Sequence, residues 1–244
     1  MDYTKDTSNF NKSQTSTYTN STYSYDVGLR NHMLLIYQQM FFALLITSLV
    51  AGFVSYSPSL WTIVHGPLGI LLMIATIIIP VYFTLKINQM SLSKARGLLF
   101  SYAALMGASL SYILAIFGPM TTFKAFVSTG GMFGATCLYG YTTKSDLSQY
   151  RHIFFMALIG ILIASLINIF TKSSAIEFMI SAAGVVIFAG ITAYDTQKAK
   201  DVYYYMSGDQ ISRSKAAVFC ALSLYMDFIN MFVYMVRLFG RTRD

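Results

Sequence analysis

Ile187-Phe-Ala-Gly-Ile-Thr-Ala-Tyr-Asp195-Thr-Gln-Lys198 and Ala221-Leu-Ser-Leu-Tyr-Met-Asp227-Phe-Ile-Asn-Met-Phe232 decide how the whole chain is read. Each sets one aspartate in an apolar run, the first of which closes at Lys198. A carboxylate at bilayer depth is costly, so it normally faces the bundle interior or a water path, and it marks a functional site by default. Between them, Met206-Ser-Gly-Asp-Gln-Ile-Ser-Arg213 reads as a turn in which Gly208 ends one helix and Asp209 or Ser212 caps the next. Met206 to Asp195 is roughly 16 Å of helix, and Arg213 to Asp227 roughly 21 Å, at about 1.5 Å per residue. In an antiparallel hairpin the two carboxyls then reach nearly the same depth.

Composition agrees with a membrane setting. The 244 residues are 55% hydrophobic and 11% charged, against about 25% charged residues in soluble domains. The net charge of +7 comes from basic residues spread singly between apolar runs, which reads as topology rather than nucleic-acid binding. Cys137 and Cys220 lie in apolar stretches and show no metal-ligand or disulfide pattern. His32, His65 and His152 are isolated near helix ends and read as interfacial.

Seven stretches have the roughly 20 apolar residues a crossing needs: about 33–54, 61–85, 97–117, 122–142, 153–170, 176–198 and 215–238. The predicted fold is an all-α, seven-helix membrane domain over residues 31–240. A disordered polar tail precedes it at 1–30, and a short charged end follows at 241–244. Pro67 and Pro80 are expected to bend the second helix. Gly130 and Gly134 form a small-xxx-small step suited to close packing. Lys86, Lys94 and Arg96, then Lys144 and Arg151, then Lys198, Lys200, Arg213 and Lys215 fall after the even helices, which puts the amino terminus in the cytoplasm. Arg237, Arg241 and Arg243 at the far end argue the other way, so six spans with a re-entrant last segment remains the alternative.

Several phrases together resemble the Bax inhibitor-1, or transmembrane Bax inhibitor motif, family. They are Ser223-Leu-Tyr-Met-Asp227-Phe-Ile-Asn230 with Arg237-Leu-Phe-Gly240, Tyr194-Asp-Thr-Gln197, Tyr139-Gly-Tyr-Thr-Thr-Lys-Ser-Asp146 and Asn168-Ile-Phe170. The likeness runs from about His32 to Gly240 and is nearest to bacterial members, which implies a cytoplasmic (inner) membrane location. It also implies six helices packed around a central seventh, and a pH-sensitive calcium leak controlled by an aspartate pair, here Asp195 and Asp227. In some members an arginine at the cytoplasmic end of the second helix latches this pair. This sequence has Lys86 near that place and Arg96 across the loop, and both stay open as the latch.

The chemistry of such a pair follows from electrostatics. Two carboxylates held close in a low-dielectric setting cannot both ionise cheaply, so they share a proton and titrate as one unit. Calcium prefers six to eight oxygens. Two aspartates with water, and with Asn168, Asn230 or backbone carbonyls as auxiliary oxygens, make a weak, transient site suited to conduction. No cofactor and no covalent catalysis are expected, and a monomer is compatible with this arrangement. Two other classes compete. A regulatory protein would dock on a membrane protease or on a cell-death or stress partner, using its tail. An intramembrane aspartyl protease also needs two aspartates, but Asp227 lacks that class's Gly-x-Gly-Asp setting.

Overall fold

The structure, a computed structural model, describes residues 4–206 and 210–241, with side chains from Val27 onward except those of Pro67, Asn88 and Arg241. Every regular element among these residues is helical: α1 (Thr4–Tyr56), α2 (Pro58–His65), α3 (Pro67–Lys86), α4 (Leu92–Thr142), α5 (Arg151–Thr171), α6 (Ser174–Tyr205) and α7 (Gln210–Arg241), with short 3-10 turns at Ile87–Gln89 and Leu147–Tyr150. The expected polar tail over 1–30 falls mostly on residues whose side chains lie outside the described set. The expected caps Gly208 and Asp209 lie outside it as well.

Six of these helices are long and apolar enough to cross a membrane. One of them crosses twice. At 51 residues α4 would run about 76 Å if straight, more than twice the roughly 30 Å of a hydrocarbon core. It breaks at Gly118, whose φ of +75° and ψ of 161° leave the helical region, and Pro119 follows with no backbone donor to resume the ladder. Contacts along α1 show that the two limbs fold back on each other. Ala103 and Gly107 of the first limb meet Thr47, and Leu110 and Ile113 share a pocket wall with Ala51, so residue numbers rise together. In the second limb Phe126 lies beside Leu44 and Cys137 beside Tyr37, so numbers run in opposite directions. Among the described residues there are therefore seven segments fit to cross. The last helix is continuous over 32 residues, which removes the re-entrant alternative.

The second crossing is shorter than the sequence reading predicts. Pro67 stands at the first position of α3 rather than inside a bent helix, because a proline there gives up only a donor that no helix would use. The preceding turn, α2, stacks Trp61 on His65 with ring centroids 3.9 Å apart. Pro80 does sit inside α3, and its missing N–H frees the Thr76 carbonyl four residues back. Tyr102 of α4 donates its hydroxyl to that carbonyl at 3.3 Å.

The seventh helix is the core. In α7 67% of the most apolar stretch is buried, against 6% in α3 and in the α5 region. α7 packs on α6, α4, α1 and α3. The outward faces of α3 and α5 instead show Ile70, Leu71, Leu85, Leu162 and Phe170, as helices do when lipid is their solvent. Close approach needs small residues at two seams. A Cβ at Gly107 would lie 2.5 Å from the Thr47 carbonyl oxygen, and one at Gly140 would strike the backbone of Ala193. Gly130 and Gly134, expected to form such a seam, have nothing within 4 Å of an added Cβ. Their row faces open space.

Candidate functional site

Asp195 stands ten residues before the end of α6, and Asp227 near the middle of α7. The hairpin between them brings both carboxylates to the wall of one pocket of about 260 Å³. Asp227 is 5% exposed, and its Oδ2 has no hydrogen-bond partner among the described residues. Asp195 is half-buried, and each acid lies within electrostatic reach of the other. The third wall is α3, which contributes Pro80, Val81 and Thr84. Phe219, Leu222, Ser223 and Met226 of α7 complete the lining.

The wall supplied by α3 is held at few points. Pro80 and Phe83 are its buried residues near the pocket, and Phe83 stacks on Phe219 with centroids 6.4 Å apart. Lys198 Nζ lies 5.8 Å from the centre of the same Phe219 ring. One turn along α6 from Asp195, Lys198 exerts an electrostatic pull on that carboxylate. A cation three residues after an acid on one helix is a spacing legible in sequence, so Lys198 is the basic group that pattern reading could have found.

The expected latch residues lie elsewhere. Lys86 is exposed, donates to Gln89 Oε1 at 3.1 Å and lines a different pocket with Tyr82, Met90 and Lys94. Arg96 is partly buried, and its Nε has no hydrogen-bond partner. Neither residue lines the aspartate pocket. The two asparagines do not line it either. Asn168 Oδ1 accepts from Thr171 Oγ1 and from the Ser173 N–H, both at 3.1 Å, and so closes the turn between α5 and α6. Asn230 Nδ2 donates to the Met226 carbonyl of its own helix at 2.9 Å. The side-chain oxygens that do share the pocket with the acids are the hydroxyls of Thr84 and Ser223.

Around Asp195 the family-like phrase has structural tasks. Gln197 accepts from the Leu147 N–H and donates to the Ser145 carbonyl, both at 2.8 Å, which ties the loop after the fourth crossing to α6. Thr196 Oγ1 donates to Cys137 Sγ at 3.4 Å. Asp195 therefore sits on a fixed helical segment, and it also lines a second pocket of about 420 Å³ with Arg151, His152, Phe154 and Tyr194.

What this arrangement can do is bounded by its donors. Among the described residues no group of three or more His, Cys, Asp or Glu could hold a metal ion. A divalent cation in the pocket would meet two carboxylates, two hydroxyls and water, short of a full protein shell for calcium.

Residues 29–244 match the family model described as inhibitor of apoptosis-promoting Bax1. Across its full length the chain is 39% identical to the uncharacterised protein RP147 of Rickettsia prowazekii, also covered in full. It is 38% identical to inner membrane protein YbhL of Escherichia coli K12, over 88% of this chain and 94% of that one. An uncharacterised protein of Caulobacter vibrioides is 35% identical over 91% of this chain and 92% of its own.

Proposed function

The chain belongs to the Bax inhibitor-1 family, and from that premise we propose that it is a pH-sensitive leak for calcium, gated by the Asp195–Asp227 pair. The observation that carries this is the one pocket that both acids line within the bundle, one oxygen of Asp227 having no partner among the described residues. Proton and cation compete for the same oxygens. When the pair is deprotonated, its charge draws a divalent ion, and when it holds a proton the attraction falls. The donor set is too sparse to trap calcium, which a conduction site requires, since an ion must leave as readily as it enters. Thr84 and Ser223 replace Asn168 and Asn230 in this reading as auxiliary oxygens, and Lys198 is a better-placed counter-charge than Lys86 or Arg96.

The role is transport rather than covalent chemistry. YbhL, by its name, is an inner membrane protein, and the same membrane is the proposed location here, with the amino terminus on the cytoplasmic side. Calcium flux into liposomes tests the proposal with Asp195→Asn and Asp227→Asn, assayed across pH beside the wild type. Each variant is expected to lose at least about tenfold in flux, or to lose its pH dependence. Wild-type flux and wild-type pH dependence in both variants would end the proposal.

A further inference from the structure

A second cavity, larger than the aspartate pocket, runs along the outside of the bundle between α1 and the second limb of α4. It encloses about 630 Å³ and is walled by Leu34, Tyr37, Gly134, Cys137 and Tyr141, with Arg30 at one end. Its length is set by helix geometry. Arg30 to Tyr37 and Gly134 to Tyr141 are each seven residues, or about 10 Å. The trough opens sideways, where Leu34 is 53% and Leu138 64% exposed. It exists because Gly134 has no side chain and nothing comes within 4 Å of the place where one would be.

We propose that this groove binds an anionic phospholipid, one acyl chain lying in the trough and the phosphate at Arg30. The case rests on where charge and apolar surface fall. Apart from the Tyr37 hydroxyl, which is turned to Cys137 and Thr196, the polar groups of the lining fall at the Arg30 and Tyr141 end, and among the described residues no acid lines it. At that same end Lys200 Nζ donates to the Tyr141 carbonyl at 3.2 Å and lies 5.9 Å from its ring centre, which places a second cation beside Arg30's end of the groove. An apolar slot about ten ångströms deep with two cations at its mouth matches the shape and charge of an anionic lipid. A transmembrane helix of a partner would offer no phosphate to that mouth. The groove floor, Cys137, accepts the hydroxyl hydrogen of Thr196, next to Asp195, so a lipid here is separated by one side chain of α4 from the helix that carries the acid.

Native mass spectrometry of the full-length protein, with phosphatidylglycerol or phosphatidylcholine added, tests the inference without any flux measurement. The wild type is expected to retain phosphatidylglycerol preferentially, and Arg30→Gln to lower that retention about fivefold, the worth of one interfacial cation. Gly134→Phe, which fills open space rather than a packed seam, is expected to abolish the retention while keeping the thermal midpoint. Arg151→Gln removes a cation from another pocket and is expected to leave retention unchanged. Equal retention of both lipids, equal losses from Arg30→Gln and Arg151→Gln, or full retention in Gly134→Phe would overturn it. A wild-type dimer that Gly134→Phe converts to monomer would also overturn it, because a second copy would then fill the groove.

Discussion

Tyr225 and Asp227 are two residues apart on the most buried helix, yet they face opposite kinds of surroundings. Tyr225 is fully buried, and its hydroxyl lies 2.7 Å from Thr47 Oγ1. Thr47 has a single hydroxyl hydrogen, and the carbonyls of Ala43 and Ala103 lie at 3.0 and 2.9 Å, so Thr47 donates there and Tyr225 donates to Thr47. Tyr102 adds an edge-on ring contact at 6.0 Å. On this side α1, α4 and α7 are locked with the hydroxyls satisfied. On the other side, two residues along, a buried carboxylate oxygen looks into a pocket whose far wall is the sparsely buried α3. One face of α7 is scaffold, and the other lines the pocket that the two acids share. A helix turns about 100° per residue, so a two-residue step is enough to separate the two tasks.

The contrast can be broken from the scaffold side first, where the largest effect is expected. Gly107→Leu forces a side chain against the Thr47 backbone, and overpacking a seam of this kind costs about 1–3 kcal/mol or more. Most of the folded protein should be lost, as read by monodisperse yield after detergent extraction. The equivalent insult on the groove side, at Gly134, should be tolerated. From the pocket side, Thr84→Val with Ser223→Ala keeps side-chain volume nearly constant and removes the two hydroxyls. Calcium flux is expected to drop a few-fold with the thermal midpoint little changed, and unchanged flux would remove those oxygens from the ion's path.

A smaller effect belongs to Tyr225→Phe, which deletes one interhelical hydrogen bond. Such bonds average about 0.6 kcal/mol in membrane proteins. A slight fall in thermal midpoint with wild-type flux would sharpen the division between the faces; a flux defect as deep as that of Asp227→Asn would erase it. The smallest effect is predicted far from both faces. Ser148 donates from its hydroxyl and from its N–H, the latter at 2.9 Å, to the exposed Asp146 and holds that carboxyl below the usual range. A depressed folded value stabilises above the unfolded value of about 3.9 and is lost as pH falls through it. The gap in thermal midpoint between wild type and Asp146→Asn should therefore be constant from pH 5 to 8 and shrink only below about pH 4.

How much of this was legible beforehand depended on whether the signal was local. The crossings follow from runs of apolar residues, and the gap between 97–117 and 122–142 fell where the structure breaks at Gly118, before Pro119. The meeting of Asp195 and Asp227 was readable too, since a hairpin converts sequence distance into depth. Pro67 misled because proline inside an apolar run and proline opening a helix look alike without the chain path. The Gly130 and Gly134 row misled for a related reason: spacing says that two residues share a face, not what the face meets. Thr84 and Ser223 carry no local mark at all, since their relevance arises only when α3 lies across α7. Lys198 was within reach as a neighbour one turn from Asp195, whereas the family resemblance points to a latch at the end of the second helix.

The abrupt reversal at Gly118 has a consequence for biogenesis. With a single non-helical residue joining two crossings, only a tight corner separates one from the other. The pair has to enter the bilayer together as a hairpin, and a tag spliced into that corner should prevent insertion of both arms.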